Sequence, residues 1–312
     1  MAEKIATREA YGLALAEFGG DENILVLDAD LSKSTKTDLF KKKYPNRFIN
    51  MGIAEANMMA TAAGLATCGK TVFASSFAIF ASGRAFEQVR NSICYPNLNV
   101  KIGATHAGIS VGEDGASHQA LEDIALMRAL PNMTVLSPCD AVETRCAVKA
   151  AIDTAGPCYI RLGRLAVDVI NDPGTYQFTL GKGITLKDGS DVTLVATGLM
   201  VAYALEAAAA LAAQGVSARV INIHTIKPID EDLLITAARE TGAIVTCEEH
   251  NIIGGLGSAV AEVLAEHHPA PMQRIGTKDV FGKSGKPAPL LEAYGLTAND
   301  IVAAAKQVIA RK

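Results

Sequence analysis

Residues 50–66 read NMGIAEANMMATAAGLA, and this stretch decides the fold class. Arg47 to Met51 predict a short strand, Gly52 a turn, and Ala54 to Cys68 a helix rich in Ala. A strand that turns directly into a helix is the repeating unit of parallel α/β folds, and ligands bind where such strands end. Glu55, which opens the helix, is therefore a candidate site residue. A glutamate there also suits the positive end of the helix dipole without any further role.

The alternation of short β-branched runs with longer helical patterns continues in both directions. The predicted strands are 24–28, 47–51, 71–75, 100–105, 134–137, 158–162, 192–197, 218–223, 244–247 and 273–276. The predicted helices are 7–18 (with Thr7 as N-cap), 36–43, 54–68, 80–95, 121–130, 141–154, 201–214, 231–240, 258–266 and one from Thr297 onward. This pattern predicts an α/β protein with two consecutive three-layer domains and mostly parallel sheets, residues 1–170 and 191–312. Residues 171–190, which are rich in turn residues, predict a linker.

The composition of the 312-residue chain argues against several classes of protein. A formal net charge of −4 argues against a nucleic-acid partner. No apolar run reaches the roughly 20 residues that a membrane helix needs, and the N-terminal residues hold no signal-peptide core. The six cysteines match no zinc or iron–sulfur spacing, so we predict no metal ligands in this chain. These features together predict a cytoplasmic protein with reduced thiols.

Two further clusters carry aromatic or polar chemistry. Phe77 and Phe80 flank the start of a predicted helix, where they would either pack in the core or form a flat wall for a heteroaromatic ring. Residues 105–119, THAGISVGEDGASHQ, place two histidines and two acids in one Gly-rich loop after a strand. Polar loops on a rigid scaffold are commonly functional. His106 and His118 could bind phosphate or move protons near neutral pH.

Two other features have less specific patterns. Arg161 and Arg164 come at and after the end of a predicted strand, and each offers donors suited either to phosphate or to an ion pair. Residues 254–257, GGLG, look like part of a dinucleotide-binding turn, but the full GxGxxG spacing is missing. We therefore predict a tight turn that feeds a helix there.

Taken in this order, the clusters resemble the C-terminal half of transketolase over essentially the whole chain. Three strings carry the resemblance: NMGIAEANMMATAAGLA, GEDGASHQALEDIALMRALPNMTVLSPCD and EEHNIIGGLGSAVAE. The resemblance implies a thiamine-diphosphate pyrimidine-binding domain followed by a transketolase C-terminal domain. It also implies transfer of a two-carbon ketol unit from a ketose phosphate to an aldose phosphate, with thiamine diphosphate supplying the carbanion chemistry.

The resemblance implies roles for individual residues. Glu55 would reach N1′ of the cofactor's aminopyrimidine and promote loss of the C2 proton of the thiazolium ring. His118 would move protons at the reacting hydroxyls. The other implied cofactor contacts are Phe77, Phe80, Asp30 and Ile53. The implied substrate contacts are Asp114 at a sugar hydroxyl and, around the phosphate, His106, Arg164 and Ser34.

Some features depart from the family pattern. Gly83 stands where many transketolases have a third aromatic residue, and Ala107 replaces a more polar residue. The family binds the diphosphate and a divalent cation such as Mg²⁺ through a Gly-Asp-Gly motif followed by Asn, which this sequence lacks. The resemblance therefore implies a separate N-terminal, diphosphate-binding transketolase subunit that carries the metal ligands. Two copies of each chain would form a heterotetramer around a homodimer of this one.

Three alternatives stay open at the level of sequence. 1-Deoxyxylulose-5-phosphate synthase shares much of the pattern, but it is normally one long chain. The β subunit of a 2-oxoacid dehydrogenase fits less well, because GEDG followed by SHQ in residues 112–119 favours transketolase. A non-catalytic regulatory subunit would be expected to lose at least one of Glu55, Asp114 and His118. The sequence identifies neither the sugars nor the pathway, pentose phosphate or another.

Overall fold

Residues 4–312 are described by the computed structural model, and within them fourteen strands and twelve α-helices follow one another. The strands are β1 Lys4–Ala6, β2 Ile24–Asp28, β3 Phe48–Asn50, β4 Thr71–Phe77, β5 Val100–Thr105, β6 Thr134–Leu136, β7 Cys158–Arg161, β8 Ala166–Asp168, β9 Ile184–Lys187, β10 Val192–Ala196, β11 Ala218–Asn222, β12 Thr225–Lys227, β13 Ile244–Asn251 and β14 Met272–Thr277. The helices are α1 Thr7–Phe18, α2 Ser32–Thr35, α3 Asp38–Lys43, α4 Glu55–Thr67, α5 Phe86–Gln88, α6 Asp123–Arg128, α7 Ala141–Asp153, α8 Met200–Ala212, α9 Glu231–Thr241, α10 Leu256–His267, α11 Pro287–Ala293 and α12 Ala298–Ile309.

The first sheet has the strand order β12-β6-β7-β5-β4-β2-β3. Its neighbours are parallel except β12, which runs antiparallel to β6 and comes from the second half of the chain. Helices α1, α3 and α7 share one hydrophobic cluster with this sheet. Helix α4 and the segment Phe80–Cys94 belong to another, so the sheet lies between two helical layers.

The second sheet has the order β14-β13-β10-β11-β9, and only β9 is antiparallel to its neighbour. Helices α8 and α12 pack in one hydrophobic cluster. Helices α9 and α10 pack in the cluster that also contains α4, so one core is continuous through both halves. The predicted fold class, two α/β domains with mostly parallel sheets, is confirmed. None of the helices in residues 4–312 has both the length and the apolar composition to cross a bilayer.

Several predicted elements differ from the structure. The region 171–190 contains β9, because its short apolar run pairs with the edge of the second sheet. The region 80–95 is not one regular helix: π-helical stretches Phe80–Arg84 and Val89–Cys94 flank α5. Lys36 has a positive φ of 67° and cannot continue a helix, so α3 begins at Asp38. Thr7 is the first helical residue rather than the N-cap, and its hydroxyl accepts a hydrogen bond from Gly163 N–H. The patterns gave no sign of β1, β8, β12 or α11.

Candidate active site

The candidate residues of the first half gather at one edge of the first sheet. Strands β2, β3, β4 and β5 are neighbours, and they end at Asp28, Asn50, Phe77 and Thr105. Because the carboxyl ends of parallel strands meet at the same edge, the segments that follow these residues lie together. The segments around Glu55, Phe77 and His106 therefore form one region.

Glu55 lies at the start of α4, where Gly52, with a positive φ of 70°, turns the chain after β3. Its side chain is only 2% exposed, and Met58 and Met59 in the next turn are fully buried. One carboxylate oxygen, Oε2, accepts a hydrogen bond of 2.9 Å from Nη1 of Arg84. The arginine is 52% exposed. A carboxylate this buried is stabilised by a paired cation.

An aromatic cluster connects Arg84 to the histidines. The Arg84 guanidinium lies 4.4 Å from the ring centre of Phe80. Phe80 stacks near Phe77 at 5.9 Å, and Phe77 stacks on His106 at 3.8 Å. The ring of His118 meets Phe80 edge-on at 5.3 Å. Glu55 and these rings are thus connected by successive contacts. The resemblance to transketolase implies that Glu55, Phe77 and Phe80 lie together around the cofactor.

His106 is a buried neutral group beside two arginines. Burial, followed by the charges of Arg8 and Arg164, lowers the pKa of His106 to about 3. Its Nδ1 shares a hydrogen bond of 2.9 Å with Thr105 Oγ1, and its φ of 58° places it in the left-handed region. An imidazole held neutral can bind an oxyanion through an N–H, while the nearby arginines supply the charge.

Arg8, on α1, was missed by the sequence reasoning. Its Nη1 donates a hydrogen bond of 2.7 Å to the backbone oxygen of Ser34. Burial, followed by the charge of Arg164, lowers the pKa of Arg8. The two arginines therefore lie close enough to repel each other, an arrangement that an anion between them would relieve. No pattern in the sequence marks Arg8, because only the fold brings α1 to this edge.

The loop after β2 is fixed by the buried carboxylate of Asp28. This carboxylate accepts hydrogen bonds from the backbone N–H of Leu31 at 2.6 Å and from two hydroxyls, Thr35 at 2.6 Å and Thr37 at 2.9 Å. Burial nevertheless raises the pKa of Asp28. The order of this loop places Ser34 beside Arg8.

Asp30 and Ile53 are at the outer end of the same edge. Asp30 is exposed with a positive φ of 64°, and Nδ2 of Asn50 donates a 2.8 Å hydrogen bond to its carboxylate. The side chain of Ile53 is 79% exposed. No contact within residues 4–312 ties either side chain to the aromatic cluster, so their predicted roles stay predictions.

Arg164 has an ion partner in this chain. Its Nη1 lies 3.1 Å from the carboxylate of Glu113 and also donates to the backbone oxygen of Val111. Arg164 keeps 36% of its side chain exposed. Asp114, next to Glu113, is exposed at the end of the 3₁₀ segment Ile109–Asp114. The surface ion pair and the phosphate contact considered for Arg164 are therefore compatible, because the guanidinium has donors to spare.

Arg161 does not belong to the open site. It is buried and forms a two-pronged pair with Asp123, with nitrogen–oxygen distances of 2.9 and 3.2 Å. It also donates to the backbone oxygen of Glu249 at 2.9 Å. Tyr159 donates to the same Asp123 carboxylate at 2.8 Å. Arg161 thus fixes the start of α6 and the neighbouring strand of the second sheet.

The second half of the chain holds the loop 105–119 in place. The buried carboxylate of Glu249, on β13, accepts a 2.6 Å hydrogen bond from Ser110 N–H. Gly108, with a φ of 86°, lies so close that a Cβ there would come within 2.2 Å of the Glu249 carboxyl carbon. Ser284 Oγ donates to the backbone oxygen of Glu113 at 2.7 Å, and Gln119 Nε2 donates to that of Lys283 at 3.0 Å. The sequence gave no sign of these contacts.

Glu248 explains the GGLG run. Its two carboxylate oxygens accept hydrogen bonds from the backbone N–H groups of Leu256 at 2.6 Å and Gly257 at 2.8 Å. A Cβ on Gly255 would collide with that carboxylate at 2.0 Å. An internal side chain thus fills the anion-binding end of α10. The predicted turn into a helix is found here.

The fold and the site together define an α/β protein with a ligand-binding edge on a parallel sheet. Residues 3–169 match the family model for the pyrimidine-binding domain of transketolase, and residues 181–301 match that for the transketolase C-terminal domain. The chain belongs to the transketolase family.

Similar proteins fall into two groups by length. A solved split-gene transketolase, an inactive β4 tetramer, is 60% identical with a TM-score of 0.92, over 98% of this chain and 99% of that one. A 6-deoxy-6-sulfo-D-fructose transketolase subunit of Clostridium sp. (strain MSTE9) is 46% identical over 309 residues, 98% of this chain and 95% of its own. The transketolase of Rattus norvegicus is 41% identical over 314 residues, 99% of this chain but 50% of the rat protein. The chain therefore spans about half the length of the rat transketolase and nearly the full length of the split-gene transketolase and of the clostridial subunit.

The site fits one end of thiamine diphosphate, the cofactor on which the family depends. A flat aromatic wall at Phe77 and Phe80 and a buried carboxylate with one oxygen unpaired, on Glu55, suit an aminopyrimidine. Within residues 4–312, no group of three or more His, Cys, Asp or Glu side chains is arranged to hold a metal ion. The described residues fit the pyrimidine end of the cofactor.

Proposed function

We propose that this chain is the C-terminal, or B, section of a split transketolase that transfers a two-carbon ketol (glycolaldehyde) unit between sugars. The observation that carries the proposal is the contact chain from Glu55 through Arg84 and Phe80 to Phe77 and His106 at the carboxyl edge of the first sheet. It joins a carboxylate, an aromatic wall and an imidazole in one small region. Similarity over nearly the full length of a protein named as a transketolase subunit and of a split-gene transketolase supports the same interpretation.

In the proposed mechanism, each side chain acts on a particular part of the bound molecules. When bound, thiamine diphosphate supplies the electron sink that stabilises the transferred unit. Glu55 binds a pyrimidine ring nitrogen and shares a proton with it, while Phe77, Phe80 and Ile53 orient the ring. Asp30 lies at the outer end of this cofactor side. His118, half-buried beside Phe80, moves protons at the sugar hydroxyls.

The proposed substrate site has two parts, one that binds an anion and one that binds a hydroxyl. Arg8 and Arg164, with neutral His106 and Ser34, bind the phosphate of the sugar, and Asp114 binds a sugar hydroxyl. The lowered pKa values of His106 and Arg8 agree with this: burial is the main cause of each, and the positive charges of neighbouring arginines add to it. Relatives named for 6-deoxy-6-sulfo-D-fructose and for apulose 4-phosphate extend the candidate substrates to a sulfonated sugar and to other sugar phosphates.

We further propose that a separate N-terminal subunit binds the diphosphate and a divalent cation such as Mg²⁺, and that two copies of each chain form a heterotetramer. The chain corresponds to only half of the rat transketolase. Exposed apolar side chains near the site, Ile53 at 79% and Phe281 at 87%, support a subunit contact there. The split-gene relative solved as an inactive tetramer of one chain type supports a homo-oligomer that needs its partner.

We propose a pyrimidine-binding domain over residues 1–170, a connecting segment over 171–190 and a C-terminal domain over 191–312. Six unpaired cysteines support a reducing, cytoplasmic location. A role in the pentose phosphate pathway is one candidate for the cellular process.

Reconstitution tests the proposed function. The purified chain is mixed with its candidate N-terminal subunit, thiamine diphosphate and Mg²⁺, and the complex is isolated by size exclusion. A screen then pairs ketose donors, phosphorylated and sulfonated, with aldose acceptors, and it includes pyruvate with glyceraldehyde 3-phosphate to detect synthase activity. We expect ketol transfer by the complex and none by either subunit alone. Transfer by the isolated chain, or decarboxylation of pyruvate by the complex, would contradict the proposal.

A further inference from the structure

Arg84 ends a π-helical turn at the candidate active site. In residues Phe80–Arg84 the helix is widened relative to an α-helix. Such turns are rare, and they are frequent at functional sites because they change the direction of one side chain. Here the residue at the end of the turn contacts a side chain on another helix, Glu55 of α4.

The two partners of this ion pair differ greatly in exposure. Glu55 is 2% exposed, whereas Arg84 is 52% exposed. An ion pair with a half-exposed partner contributes little to stability. The buried carboxylate of Glu55, beside Met58 and Met59, in contrast depends on Arg84 for its orientation, because Arg84 is the cation with which it pairs. The asymmetry indicates that Arg84 serves Glu55 more than it serves the stability of the chain.

The contacts of Arg84 leave half of the carboxylate free. Arg84 donates to Oε2 only, and its guanidinium also lies 4.4 Å from the ring centre of Phe80. Among the groups of residues 4–312, none donates a hydrogen bond to Oε1 of Glu55. One oxygen is therefore anchored and the other is available to a ligand.

We infer that Arg84 is a positioning residue that anchors Oε2 of Glu55, so that Oε1 can bind the ring nitrogen of an aminopyrimidine. This inference rests on the proposed function, because it assigns the ligand of Oε1. Arg84 touches the acid and not the reacting atoms. Its contribution is therefore to the orientation of the carboxylate and to the rate of proton loss that Glu55 promotes, not to the affinity for sugars.

The test uses the complex of the full chain with its N-terminal subunit, thiamine diphosphate and Mg²⁺. The variants are Arg84→Met, which removes the charge, and Arg84→Lys, which keeps a charge without the planar fork. The matched control is Arg145→Met. Arg145 also pairs with a glutamate, Glu17, at 2.8 Å and lies 5.0 Å from a phenylalanine ring, Phe18, but away from the site.

Three readouts are compared. Exchange of the cofactor C2 proton with D₂O, followed by NMR after acid quench, is expected to slow about 10- to 100-fold in Arg84→Met, as for a misplaced catalytic group. Arg84→Lys should recover part of the rate, and Arg145→Met should match the wild type. Cofactor affinity by titration and KM for both sugars should stay unchanged. A crystal structure of the Arg84→Met complex should show the Glu55 carboxylate turned.

Other results would overturn the inference. Wild-type exchange in Arg84→Met would show that the arginine does not position Glu55. Slow exchange with an equal loss of cofactor affinity, or with Phe80 displaced, would show a structural role instead. These outcomes differ from failure of the proposed function, in which the wild-type complex itself shows neither C2 exchange nor ketol transfer.

Discussion

Two buried glutamates, Glu55 and Glu249, have different surroundings. Glu55 has one partner, a half-exposed arginine, and one free oxygen at the open edge of the sheet. Glu249 is enclosed: its carboxylate binds Ser110 N–H, Gly108 packs on it, and Arg161 lies close by. The difference teaches that similar burial can serve two purposes. The open carboxylate is available to a ligand, and the closed one holds the loop that faces the ligand.

The largest effect is expected at the open carboxylate. Glu55→Ala should lower turnover of the reconstituted complex by about 10²–10⁴-fold, because proton transfer by a positioned group is lost. The elution volume of the complex should not change. Glu17→Ala, which removes a surface glutamate paired with Arg145, is the control and should retain activity. Near-normal turnover of Glu55→Ala would remove Glu55 from the mechanism and end the comparison.

A smaller effect is expected at Arg164, which pairs with Glu113 and lies close to Arg8 and His106. Arg164→Ala should raise KM for phosphorylated sugars about tenfold, the effect of ~1.5 kcal/mol for a charge-assisted contact that is partly exposed. KM for unphosphorylated analogues should change little. Arg145→Ala provides the surface control. Equal changes for both kinds of sugar would show that Arg164 serves the loop through Glu113 rather than the phosphate.

The closed carboxylate should mainly affect stability. Glu249→Ala should lower the free energy of unfolding by ~1–3 kcal/mol, because Ser110 N–H loses its acceptor in a buried place. Glu249→Gln keeps a carbonyl acceptor and should lose less. Chemical denaturation followed by circular dichroism measures both. A Glu249→Gln variant that keeps its free energy of unfolding but loses turnover in the complex would contradict a purely structural role for Glu249.

The smallest effect is a dependence of stability on pH. Burial raises the pKa of Glu249 from 4.5 to about 7, with the charge of Arg161 opposing the shift. Between pH 4.5 and about 7 the folded chain therefore binds a proton that the unfolded chain has released, so stability falls as pH rises through this window. Glu249→Gln lacks this group. The stability of the wild type relative to Glu249→Gln should therefore decline from pH 4.5 to 7 and stay level above it.

Other buried groups titrate in the same window, which is why that measurement is a difference. Burial also raises the pKa values of Glu143 and Glu248 to about 7, whereas it lowers those of His224 and His250 to about 4. In the difference between wild type and variant, the contributions of groups that do not interact with Glu249 cancel. A constant difference across the whole pH range would show that Glu249 has the same protonation in both states.

The sequence was informative where the chemistry is local. Residues 50–66 and 105–119 pointed to Glu55, His106 and His118, and the structure places all three beside Phe77 and Phe80 or the arginine that joins them. The strand and helix patterns were also local, so most elements were predicted within a few residues. The surroundings of Glu55 could thus be predicted largely from residue types and their order.

The surroundings of Glu249 could not be predicted in the same way. Glu249 lies 139 residues from Ser110, and only the packing of the second sheet against the loop brings them together. The position of Arg84 results from a π-helical turn, which the periodicity of the sequence does not predict. Arg161 and Arg164 have the same residue type three positions apart, yet one is buried against Asp123 and the other is half-exposed. Position in the fold, rather than residue type, separates their roles.

Strand β12, Thr225–Lys227, completes the sheet of the first half although it follows the second half's third strand in the chain. A truncated protein ending near residue 190 would leave β6 as a bare sheet edge, whose unsatisfied backbone groups invite pairing with other molecules. Chimaeras between relatives face the same difficulty. An exchange of C-terminal modules would need to carry a β12 that matches the recipient's β6, so these two segments should be inherited as one unit.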